Sequence, residues 1–273
     1  MKKFLSILLT LSLCLAICFC FVGCDSEFNG NYVKASDEQI DQTFKKVEGG
    51  DVDIKDRKGV QLTMKATFTG DMQGTSTATI KANIEKQQFA ASIKSSGTMT
   101  NKEGEKTTIK SETGIYVKDG FGYSFMSYDD GNKKEAKSKF PIPDAALNVM
   151  FSKAVNEAFN KIDLSEFTDI LGESSAELKA EGIEVYIDNA KTGIKIKVVC
   201  SGKKADGKES NYKGTFIFVF NQKNVITALK VDLTAKLDDK TTSKTTLTLK
   251  DFNGSVSLPS GASDWKVGAG FEF

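Results

Sequence analysis

The chain has 273 residues, long for one domain yet within reach of a single β-rich one. Its 37 basic and 36 acidic residues nearly cancel, which argues against a nucleic-acid partner, because neutralising phosphates needs a basic surplus. There is no histidine, so His-based triads, His-ligated zinc and histidine proton shuttles are excluded.

Lys2 and Lys3 open the chain, and Phe4–Val22 follows without a charge. That is the pattern of a secretory signal, with a run long enough to raise a transmembrane reading as well. The end of the run favours the signal. Phe21-Val22-Gly23-Cys24 resembles the bacterial lipobox, with small residues before a cysteine and a polar chain after it. Phe21 stands where that motif usually carries Leu. The resemblance implies cleavage after Gly23 and acylation of Cys24. The expected location is the extracytoplasmic face of a bacterial cell membrane, with the membrane as partner through the lipid on Cys24. Loss of residues 1–23 removes Lys2 and Lys3, leaving 35 basic against 36 acidic residues, net −1. Cys14, Cys18 and Cys20 leave with the signal, so Cys200 is the only thiol left and no intramolecular disulfide is available. Cys200 ends the alternation Ile194, Ile196, Val198, which predicts a buried small hydrophobe.

Residues 24–35 read as a lipidated tether and 36–273 as a single α+β domain. That domain admits a division into two structural repeats, about 36–140 and 141–258. Ser36 is placed to cap a helix, with Gln39 at the reciprocal position and Ile40, Phe44 and Val47 at helical spacing. Gly49-Gly50 ends it. Then Val60, Leu62, Met64, Ala66 and Phe68 alternate with polar residues, the period of a strand with one face on a core. Further strands follow at 78–84, 89–93, 105–117 and 121–128, with Lys118-Asp119-Gly120 as a tight turn. Pro141 and Pro143 break the pattern. Asp144 is placed to cap a helix to about Lys161, and Asp163 a second one over Leu164–Leu171. Strands resume at 183–187, 194–200, 212–220 and 229–237, and a last long one includes Leu247 and Leu249. The expected fold is one large curved antiparallel sheet of about ten strands, a half-barrel. An N-terminal helix and a mid-chain helical segment would pack on its concave face.

This arrangement resembles the LolA/LppX-type lipoprotein-carrier superfamily over residues 36–258. The likeness is architectural: an exported, lipidated chain, one helix before a long meander, helices inserted mid-chain, and the strand–turn Tyr116-Val117-Lys118-Asp119-Gly120 followed by aromatics. It implies an unclosed barrel that binds acyl chains in its concavity. It carries over no individual residue.

No catalytic constellation is present, and the expectation is a non-enzyme without cofactor or metal. Gly202–Lys208 has the spacing of a phosphate loop, but Glu209 replaces the Ser/Thr and a strand follows instead of a helix. Asp129-Asp130-Gly131 and Asp238-Asp239 lie at turn signals without calcium-loop spacing. Three helices look too few to cover one sheet face. The apolar residues Phe68, Phe121, Tyr123, Phe125, Met150, Phe216, Phe218 and Phe220 are therefore the candidate lining of a ligand cavity. The sequence thus suggests a membrane-anchored protein that binds or carries an apolar or amphiphilic molecule such as a lipid. The alternative is a non-catalytic cell-surface structural or protein-interaction module with a filled core.

Overall fold

A computed structural model describes residues 26–47, 57–70, 73–100, 106–154, 169–190, 193–207, 209, 212–236 and 241–268. The signal and Cys24, the Gly49-Gly50 stop, most of the 163–171 helix and Asp238-Asp239 lie outside them. The strands are β1 (Val33–Lys34), β2 (Gly59–Thr69), β3 (Gln73–Asn83), β4 (Gln88–Thr100), β5 (Lys106–Lys118), β6 (Phe121–Asp129) and β7 (Lys134–Pro141), then β8 (Ile183–Ala190), β9 (Gly193–Cys200), β10 (Tyr212–Asn221), β11 (Ile226–Lys236) and β12 (Thr242–Asp251). The helices are α1 (Asp37–Val47), α2 (Asp144–Val149) and α3 (Ser175–Ala180).

All twelve strands form one antiparallel sheet in the order β1-β8-β9-β10-β11-β12-β2-β3-β4-β5-β6-β7. It is open, with β1 and β7 at its two edges. Two meanders, β2–β7 and β8–β12, are joined side by side where β12 pairs with β2, Leu249 opposite Leu62 and Leu247 opposite Met64. The strand total exceeds the expected ten because β1 and β7 were not legible. β1 is two residues long. β7 carries lysines, lacks an apolar alternation and ends in Pro141, the composition of an exposed edge. Pro141 therefore terminates a strand instead of lying beyond one.

The front face bears the helices. Ile40, Phe44 and Val47 of α1, Leu147 of α2 and Leu178 of α3 are buried with Val185, Ile196, Phe218, Leu229, Leu249 and Val60 of the sheet. The N-terminus of α1 is closed as its sequence predicts: Ser36 N donates to Gln39 Oε1 at 2.9 Å and Gln39 N to Ser36 Oγ at 3.3 Å. α2 differs. Pro143 precedes it, Asp144 is its first residue and not its cap, and it continues as a wider turn over Met150–Ala154. Asp169–Gly172 forms a single tight turn with Ile170 and Leu171 buried. α3 has its own capping box, Ser174 with Glu177, and Asp41 of α1 accepts from Ser175 N at 2.9 Å and Ser175 Oγ at 3.1 Å. That couples the two helices into one cover.

The back face carries threonines and lysines such as Lys65, Thr77, Lys94, Lys110, Lys197, Thr234 and Thr246. Two chain segments lie across it. Ser26–Phe28 lies over β10 and β11, with Phe28 4% exposed, and residues 29–32 continue to Asp188, Lys195 and Lys197 of β8 and β9. The C-terminal segment crosses the β4–β6 region, burying Val256 and Ala262 against Ala90, Tyr116 and Tyr123. Asn83 Nδ2 donates to Gly254 O at 2.8 Å, and Gln88 Oε1 accepts from Val256 N at 2.9 Å. Lys118 Nζ donates to Val256 O at 2.9 Å, and Gly268 N to Lys139 O at 3.1 Å.

Candidate functional site

The register places three apolar cross-strand rows on the front of β2–β7. The first runs Val60, Ala82, Phe89, Val117, Gly122, Phe140. The second begins Leu62, Ile80, Ala91, Ile115, and the third runs Met64, Ala78, Ile93, Thr113, Met126, Ala136. These rows are the direct extension of the core that α1 and α3 cover under β8–β12. Toward β7 exposure rises. Ile115 is 53% exposed, Met126 46%, Phe140 40% and Tyr128, in the next row, 39%. Val149 of α2 is also exposed, at 62%. Four large apolar side chains on neighbouring strands of one face form a contiguous patch, unlike the scattered single residues normal on a surface. Gly122 is part of its shape: the Phe140 ring lies where a Cβ would stand, 2.4 Å from it, so the ring is folded down onto the strand.

The eight nominated residues fall into three groups. Phe216, Phe218 and Phe220 are on the front, 3%, 0% and 1% exposed, in a stacked file with centroids 6.4 Å apart. They fill the core under the helices. Phe68 and Met150 are half-buried at the margin of the same core. Phe121, Tyr123 and Phe125 are on the back. There the Trp265 ring stacks on Phe125 at 6.0 Å and meets Tyr123 edge-on at 6.1 Å, while Lys139 Nζ lies 5.0 Å from the Phe121 centroid. Burial pushes the Tyr116 and Tyr123 phenols above their ordinary value. Sequence reading missed Ile115, Met126 and Phe140.

Two clefts open on the back face. One of about 540 Å³ lies under Ser257–Ser260 and is floored by Ala90, Tyr116 and Phe125. It continues into a second of about 410 Å³ across β3–β6. Together five lysines and three carboxylates line them. The charges are largely paired: Lys94 with Glu112 at 2.7 Å, and Lys137 with Glu135 at 2.6 Å. Hydrogen bonds from Lys133 and then Lys137 hold the Glu135 carboxyl below its usual range, whereas burial and then Lys250 lower Lys81. A third cleft, about 240 Å³, lies between α3 and Tyr212.

Cys200 is buried on the front, and desolvation pushes its thiol up to about 12. Asp129 and Asp130 each accept a hydrogen bond from a backbone N–H two residues on, at 3.0 and 3.2 Å, so both shape the β6–β7 turn. Gly202 and Gly207 belong to a loop between β9 and β10, with Lys203 bridged to Glu209. Among the described residues no group of three or more acidic or cysteine side chains is placed to hold a metal. No family model, curated protein or solved structure matches the chain.

Proposed function

We propose that the chain is a lipoprotein anchored through acylated Cys24 on the extracytoplasmic face of a bacterial membrane. It binds or carries an apolar or amphiphilic molecule, such as a lipid, against the uncovered front of β4–β7. In this reading the open sheet serves as the half-barrel of a LolA/LppX-like carrier. One observation supports this reading: an apolar sheet face buried under helices on one meander and, among the described residues, exposed toward β7 on the other, at Ile115, Met126 and Phe140. An acyl chain laid along these rows removes the apolar area from water at about 25 cal/mol per Å². The filled core around Phe216, Phe218 and Phe220 favours the second reading, a non-catalytic interaction module, and moves the ligand surface away from those three residues.

The test uses the full chain with Cys24→Ala, so that its own lipid does not compete. Saturable uptake of a fluorescent fatty acid is expected, together with a co-purified lipid in native mass spectrometry. The double variant Ile115→Asp/Met126→Asp should weaken uptake at least tenfold without lowering Tm, because both side chains are exposed. A clean apo mass with no uptake overturns carriage and leaves the interaction module.

A further inference from the structure

The segment expected to be a tether is fastened to the sheet. Phe28 is buried, and Tyr32 Oη donates to its carbonyl at 2.8 Å. Asn31 N donates to Asp188 Oδ2 at 3.2 Å, and Lys195 Nζ to Asn29 O. Lys197 Nζ is held between the rings of Tyr32 and Tyr186, 5.8 and 5.7 Å from their centroids. Val33 and Lys34 then pair with Ile187 and Tyr186 as β1, and Ala35 N donates to Val185 O at 2.9 Å. Burial and then the Asp188 charge push the Tyr32 phenol up to about 12. The segment is thus tied by backbone pairing, by side chains and by an inserted aromatic.

Cys24 lies four residues before Phe28, and a fully extended chain spans at most about 3.5 Å per residue, so the backbone of the buried Phe28 is held within roughly 14 Å of the Cα of the acylated Cys24. Resting on the lipid-anchor reading, we infer that the folded body sits flush on the bilayer, the back of the sheet from its β1–β8 edge to β11, with the wrapped segment 26–34, against the lipid headgroups. A free leash is not available to it. The chemistry of this edge fits a headgroup region. On its back Tyr32 and Tyr186 are amphipathic rings of the kind that settle at a membrane–water boundary, and Val33, 70% exposed, points from the same edge to the front. Lys34, Lys195 and Lys197 stand against Glu184 and Asp188, so the edge carries little surplus charge for anionic lipid to attract. The lipid on Cys24 supplies the attachment, and the body supplies the orientation.

The acylated full chain is reconstituted into phosphatidylethanolamine/phosphatidylglycerol vesicles carrying a headgroup acceptor dye, with a donor on Val33→Cys. Cys200 is buried and leaves that thiol as the labelled one. Strong energy transfer is expected, unchanged by 1 M salt. A 20-residue Gly/Ser insert after Asp25 adds about 25 Å of mean reach and should cut transfer at least twofold. Phe28→Asp, which releases the wrap, should approach the insert's value. Equal transfer with and without the insert, in protein that co-sediments with vesicles, overturns the flush orientation while leaving the anchor intact. Failure to co-sediment overturns the anchor reading and the orientation with it.

Discussion

Phe218 and Cys200 show what the filled part of the front face contributes. Phe218 is fully buried between two stacked neighbours, so Phe218→Ala should cost about 3–5 kcal/mol, read from urea unfolding. Cys200 should resist thiol reagents in the folded protein and react once the chain unfolds. Its folded pKa is raised from an ordinary value near 9 to about 12. The neutral thiol is therefore favoured by folding, and this contribution is complete below pH 9. As pH rises from 9 toward 12 the unfolded chain ionises and the folded one does not, so stability falls. Tyr32 adds a loss of the same sign between 10 and about 12. Cys200→Ala should flatten the lower part of that alkaline decline in a Tm-against-pH series. The burial of Cys200 was legible from its place in an alternating strand. The side of the sheet taken by Phe121, Tyr123 and Phe125 was not. In 121–128 the bulkier alternate set faces the back, and only the pairing of Val117 with Phe89, and of Phe89 with Ala82, fixes which set faces the core.

Strands with strict alternation, a Gly-containing turn or an apolar run were readable without coordinates, because period, turn chemistry and burial agreed. The Asp119-Gly120 turn is an example: both residues have positive φ, 53° and 78°, as a two-residue hairpin requires. β7 was not readable, since an edge strand has no second neighbour to demand apolar side chains. α3 was missed although its signal was present: Ser174 and Glu177 stand at capping-box spacing before a short run. Six residues give too little periodicity to be noticed. Asp41 supplies from α1 what α3 lacks in length. Ser174→Ala should cost about 1 kcal/mol in chemical unfolding. Asp41→Ala should cost a similar amount, and the pair should be less than additive, because both act on the same helix end.

At the scale of the molecule, the front face is buried under helices along β8–β12 and, among the described residues, exposed at Ile115 and Met126 toward β7. The path of the two wraps across the back face escaped sequence reading, the first being expected as a tether and the second only as a closing anchor. They are short, irregular, and held by side-chain bonds to backbone carbonyls that have no periodic signature. The meeting of β12 with β2 has a consequence for how the molecule assembles. Within each meander every strand finds its partner a few residues away. At the seam, residues 60–69 must find 242–251, across almost the whole domain. Closing so long a loop carries the largest entropic cost of any pairing in the sheet. The two meanders should therefore zip independently, and the centre of the finished sheet should be the last part to acquire protection. Pulse-labelled hydrogen exchange during refolding reads this directly: amides of β3–β5 and β9–β11 should be protected before those that link β2 to β12. Early protection at the seam would instead make it the nucleus. The two ends of the folded chain thus depend on one another through a junction that exists only after the last strand has arrived.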